Sequence, residues 1–150
     1  MKHAQVGVAL VEFALVLPFL LLLAFVTTEY GRALYQYNTL AKSVRDAVRF
    51  LSIQSPETMT TQAQNLVVYG SVTNTGTPLV FGLSLAQVKT PTWQLSGAGP
   101  VIRTVTVTIA GCATSAPPCY KFVPLFSGAF GVNFGDVNFA DISATMRAPL

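Results

Sequence analysis

Gly7-Val8-Ala9-Leu10-Val11-Glu12-Phe13 opens an apolar run that continues to Val26. From Val8 to Thr28 there are 21 residues, with Glu12 the only ionisable one and Pro18 the only breaker. At the helical rise, that segment is about 31 Å long, enough to cross a bilayer core of ~30 Å. A charged side chain in such a span costs roughly 2.5–3.5 kcal/mol at mid-membrane and less near an end. The sequence therefore predicts a functional role for Glu12 and a partner that offsets its cost. Pro18 removes one backbone hydrogen bond, a loss of ~3 kcal/mol in a soluble helix that membrane helices tolerate better. It is read as a kink, and as the hinge candidate of the span.

Downstream, Glu29-Tyr30-Gly31-Arg32 marks the exit into the interface, where Tyr30, Tyr35 and Tyr37 suit an aromatic belt. Leu34, Tyr37, Ala41, Val44, Val48 and Leu51 then recur at helical spacing. Arg32, Gln36, Lys42, Asp46 and Arg49 take the other side. The pattern predicts one helix over residues 8–51, apolar all round in its first half and amphipathic in its second.

These residues also carry a family resemblance. Gly7, four residues, Glu12 and the aromatic Phe13 resemble a prepilin processing site. The likeness is to the Flp, or tight-adherence, branch, where Glu-Tyr follows the leader and Phe13 here takes the tyrosine's place. Val11 to Pro18, Glu29 to Tyr35, Ala47 to Phe50 and the closing Ser143 to Arg147 are similar to TadE-like proteins, minor pilin-like proteins or pseudopilins. The resemblance implies cleavage by a prepilin peptidase after Gly7, leaving Val8 as the new N-terminus and residues 1–7 as the leader. Val8 and Glu12 then lie four apart on one helical face. An α-amine with a pKa of about 7.7–8.0 is largely protonated at neutral pH. It would attract the Glu12 carboxylate by about 4 kcal/mol at ~4 Å and an effective dielectric near 20. The amine belongs either to the same chain or to a neighbouring subunit. Other pilin-like subunits, the major Flp-type pilin, an inner-membrane assembly platform and a motor ATPase are the further partners the family implies.

A classical secretory signal is a poor fit, because the apolar run is long and no small-residue cleavage site follows it. Lys2 before the span favours a cytoplasmic N-terminus. The protein is thus expected in a bacterial inner membrane, single-pass, with residues 55–150 forming a periplasmic or extracellular head.

Composition agrees with an anchor plus one small domain. Of 150 residues, 51% are hydrophobic and 10% charged, and the mean hydropathy is +0.52. A net charge of +3 gives no basis for nucleic-acid binding. The lone histidine, His3, falls in the leader, and the two cysteines are not spaced Cys-x-x-Cys. No cofactor, metal site or enzymatic activity is expected. A small anchored hydrolase using Asp136 and Asp141 is the remote alternative; an uncleaved, anchored envelope protein is the nearer one.

In the head, Ser55-Pro56-Glu57 reads as a helix start and Gly70 as its stop, predicting a helix from Glu57 to Tyr69 with Met59, Ala63, Leu66 and Val67 on one face. Residues 74–78 read as loop. Val88 to Leu95 reads as an edge strand because of Pro91. Val101 to Ala110 alternates valine and isoleucine with threonine, and Ala140 to Arg147 alternates again. The fold class expected is α+β, with about three antiparallel strands covered on one face by helices. Tyr120 to Phe126 reads as a hydrophobic loop or short helix. After it, Gly128, Gly131 and Gly135 interleave with Phe126, Phe130, Phe134 and Phe139, as core beneath a loop or as a partner-binding patch. Cys112 and Cys119 would form a disulfide in an oxidising compartment, worth about 2–3 kcal/mol in the chain-entropy account. A cytoplasmic head would leave them as thiols.

Overall fold

A computed structural model describes the backbone of residues 3–125 and 135–149, with side chains from Gly7 onward. The readings placed on Met1, Lys2, the His3 side chain, Phe126, Gly128, Phe130, Gly131 and Phe134 lie outside the described residues. Helix α1 spans His3–Leu51 without interruption, carrying both Pro18 and Gly31. Helix α2 spans Thr60–Tyr69. Strands β1 (Thr92–Ser96), β2 (Ile102–Ile109) and β5 (Ile142–Ala148) form an antiparallel sheet in the order β1-β2-β5. The short strands β3 (Lys121–Phe122) and β4 (Val137–Asn138) form a separate antiparallel ribbon. The class is α+β, as expected.

The core lies where the outer half of α1 packs on α2 and on one face of the sheet. Leu40, Val44, Ala47, Val48 and Leu51 of α1 are fully buried, as are Ala63, Val67 and Val68 of α2. Val105, Val107 and Ile109 meet them from β2, in register with Met146, Ala144 and Ile142 of β5. Each fully buried valine or leucine contributes about 1.5–3 kcal/mol. Threonine covers the opposite face of β2, where the Thr106 and Thr145 hydroxyls bond across the strands at 2.8 Å. The alternation seen in the sequence is therefore an alternation of core and solvent.

Several expected details change. The α1 stripe is right in its outer part, at Val44, Val48 and Leu51, but Leu34 and Tyr37 stay exposed, while Leu40 and Ala47 are buried. Helix α2 starts three residues later than expected. Ser55 does not cap it; its carbonyl accepts the Thr58 N–H at 3.2 Å, closing a tight turn around Pro56 and Glu57. Glu57 adopts a left-handed φ of 63°, as does Met59 (56°) immediately before the helix. Proline followed by a positive-φ residue is turn chemistry, which here overrides the helix-start pattern. The buried α2 face gains Val68, and Met59 stays exposed. Gly70 ends the helix as read, with φ 69° and its N–H donated to the Leu66 carbonyl.

The edge strand is interrupted. Val88 bridges Ile109, yet Thr92 pairs with Thr106, so four steps on one chain oppose three on the other. One extra residue is accommodated around Pro91, which has no N–H to give the ladder. Tyr120 and its followers are neither loop nor helix at first: Lys121 and Phe122 are paired with Asn138 and Val137.

Candidate assembly site

The sequence-predicted site residues Gly7, Val8, Glu12, Phe13 and Pro18 all lie in the inner half of α1, in the helical conformation, and all are exposed. That half is apolar enough to cross a membrane, and its most apolar window has no part buried inside the protein. Most of its hydrophobic side chains, among them Leu10, Phe13, Leu15 and Phe19, are exposed and open to lipid or another protein. Thr27 and Thr28 at the outer end donate their hydroxyls back to the carbonyls of Leu23 and Ala24. Their polar groups are thereby satisfied within the helix. Glu12 has no ion pair among the described residues. The helix is compatible with a single-pass anchor.

Just beyond Thr28, α1 is tied to the head by a set of polar contacts. Glu29 is buried, and its Oε1 accepts the backbone N–H of Leu125 at 3.1 Å. Its Oε2 lies 3.5 Å from Nη2 of Arg32, one turn on. Arg32 donates to the Val123 carbonyl at 2.9 Å and sets its guanidinium 4.9 Å from the centre of the Phe122 ring. Tyr120, buried among apolar side chains, donates its hydroxyl to Gln36 Oε1 at 2.8 Å. Burial pushes the Tyr120 phenol up to about 12, against the opposing pull of the Arg32 charge. The phenol stays protonated and keeps donating. Residues 120–125 therefore run down α1 from the Gln36 level to the Glu29 level.

Sequence reasoning placed Glu29 and Arg32 only at the membrane exit and missed this role. An acid and a base three apart on a helix are a local signal, but their targets lie about ninety residues away.

Between α1 and the β3–β4 ribbon lies an apolar groove whose walls include Tyr30, Leu34 and Tyr37 on the helix side and Phe122, Pro124 and Phe139 opposite. Phe139 packs against both Tyr37 and Tyr120, with ring centroids 5.6 and 6.1 Å apart. The exposed inner part of the predicted stripe, Leu34 and Tyr37, thus faces a groove and not the core.

At the far end of the sheet, Cys112 and Cys119 are joined in a disulfide. The loop it closes is held by Asp141, whose carboxylate accepts from the Gly111 N–H and the Thr114 and Ser115 hydroxyls and pairs with Lys89 at 2.5 Å. The Lys89 contact first, then these hydrogen bonds, hold the Asp141 carboxyl well below the usual carboxylate range. Asp136 pairs separately with Lys121 at 2.6 Å. The two aspartates of the hydrolase alternative are therefore each engaged in a different structural contact. Among the described residues no cluster of metal-ligating side chains is present.

Comparison with known proteins adds one finding. Residues 7–49 match the family model described as TadE-like protein. Searches of curated proteins and of solved structures return no match. The matched segment begins at Gly7, the residue expected to end the leader, and runs almost to the end of α1. TadE-like proteins are associated with the Tad pilus and are structural in character. Over residues 7–49, less than a third of its length and nearly all within α1, this chain is similar to the TadE-like family.

Proposed function

We propose that this protein is a minor pilin or pseudopilin acting in assembly of a Flp-type, tight-adherence pilus. Prepilin peptidase cuts after Gly7, and Val8 becomes the N-terminus. The span holds the subunit in the inner membrane with its head on the periplasmic or extracellular side. Glu12 pairs with the amine of Val8, in the same chain or in a neighbour, and that pairing sets the register of packing. Other pilin-like subunits, the major pilin and the inner-membrane platform are the partners. Glu12 carries this reading: it is one exposed carboxylate on an unburied apolar helix, within a TadE-like segment that begins at the proposed cleavage residue. The disulfide supports an oxidising compartment for the head.

The test is Glu12→Val as the sole copy in the native cell. Valine suits the bilayer, so insertion and cleavage are expected to persist while piliation falls. Normal piliation would contradict a pairing role for Glu12.

A further inference from the structure

The head presents a second apolar surface at the level where α1 leaves the membrane. Leu125 is 71% exposed, Tyr30 66%, Val123 47% and Val137 45%. Their height is fixed by the ties to α1. Leu125 donates its N–H to Glu29 and Val123 receives a bond from Arg32, so the rim sits one to four residues past Thr28. Helical side chains lean toward the helix N-terminus, which brings the Glu29 carboxylate, and Leu125 with it, toward the span. At 1.5 Å per residue this is within about 6 Å of the span's end. The headgroup layer on each side of a bilayer is about 5–7 Å deep. The rim and the interfacial layer therefore coincide. The groove beside it is continuous with the span, because Val26 of the span and Tyr30 of the exit both line it. By sequence alone, the stretch joining Leu125 to Gly135 has no ionisable residue.

We infer that the rim formed by Tyr30, Val123, Leu125 and Val137 docks into the outer interfacial layer of the lipid bilayer, giving the head a second membrane contact beside the span. Lipid is the occupant the geometry favours, since the largely exposed span meets the same medium and the rim lies at its surface. The head is then held at a fixed tilt before assembly, and leaving the membrane requires the rim as well as the span to be covered by other subunits. This inference rests on the reading of α1 as a membrane anchor.

The test uses the full chain, disulfide intact, in phospholipid nanodiscs holding one copy each and, for comparison, in larger discs holding several. A single cysteine bearing an environment-sensitive fluorophore is placed by Leu125→Cys, Phe19→Cys or Ile53→Cys. Ile53 is 76% exposed in the turn just past the distal end of α1, and Phe19 is 76% exposed in mid-span. Lipids spin-labelled near the headgroup are expected to quench the probe at 125, deep-labelled lipids the probe at 19, and neither the probe at 53. Quenching at 19 without quenching at 125 overturns the docked rim and leaves the anchor intact. No quenching at 19 overturns the anchor itself and the rim with it. A blue-shifted but unquenched probe at 125, with the shift present only when several copies share a disc, assigns the rim to protein contact and overturns the lipid assignment.

Discussion

The carboxylate of Glu29 accepts the backbone N–H of Leu125, ninety-six residues further along the chain. This contact, with that of Arg32 to Val123, fixes the head to α1 just past the end of its apolar run. It makes the outer half of the helix and the base of the head one unit.

Glu29→Ala is expected to lower the head's stability by about 1–3 kcal/mol, because a partly buried N–H loses its acceptor and Arg32 its counter-charge. Glu29→Gln keeps an acceptor and should cost less. Chemical unfolding followed by near-UV circular dichroism, with amide exchange at Leu125, checks both. Equal stability of Glu29→Ala and wild type would remove the tie from the account.

Asp141 has a carboxyl held well below the usual range, so its native contacts favour the charged form. Its stabilising effect is fully present above the unfolded value of about 4 and is lost as pH falls through the lower folded value. Asp141→Asn should cost about 1 kcal/mol or somewhat more at pH 7, given that the group is partly exposed. The difference from wild type should stay flat from pH 8 to pH 5 and shrink only in strong acid. Unfolding midpoints across that range measure it, and a difference that shrinks already between pH 7 and 5 would contradict the depressed carboxyl.

Gly111 sits where backbone passes close to backbone. A Cβ there would collide with the carbonyl oxygens of Phe139 and Ala140. Gly111→Ala is expected to cost about 1–3 kcal/mol or more, since neither obstacle is a movable side chain. At Gly31 a Cβ meets nothing within 4 Å, and Gly31→Ala should be neutral or stabilise by up to about 1 kcal/mol. Thermal unfolding of the two variants side by side tests the contrast.

Removing the disulfide by Cys112→Ser with Cys119→Ser should lower stability by about 2–3 kcal/mol without changing the fold. Reductant added to the wild type should have the same effect on its unfolding midpoint. No change in either case would show that the loop is held by Asp141 alone.

The architecture was legible where one local rule dominates. The unbroken apolar run and the helical stripe after it give α1 to its last residue. Alternation gives β2 and β5, and Gly70 gives the end of α2. Local rules failed where they competed or where the answer was distant. At Pro56-Glu57 a helix-start pattern and a turn pattern share the same residues, and Glu57 took the left-handed conformation of the turn. The Lys121–Phe122 strand is too short to alternate visibly and exists only through Val137 and Asn138. In the candidate site, Glu12 stands out by charge against an apolar background. The Glu29, Arg32 and Tyr120 ties do not, because each is completed by residues more than eighty positions away.

The central claim is tested most directly at the N-terminus of the protein purified from its native membrane, by intact mass and N-terminal peptide sequencing. The account predicts a chain that begins at Val8, with its α-amine free to meet Glu12. A chain beginning at Met1 would contradict prepilin-type processing and leave an uncleaved, anchored envelope protein. A chain beginning beyond Thr28 would remove Glu12 from the mature protein and the proposed function with it.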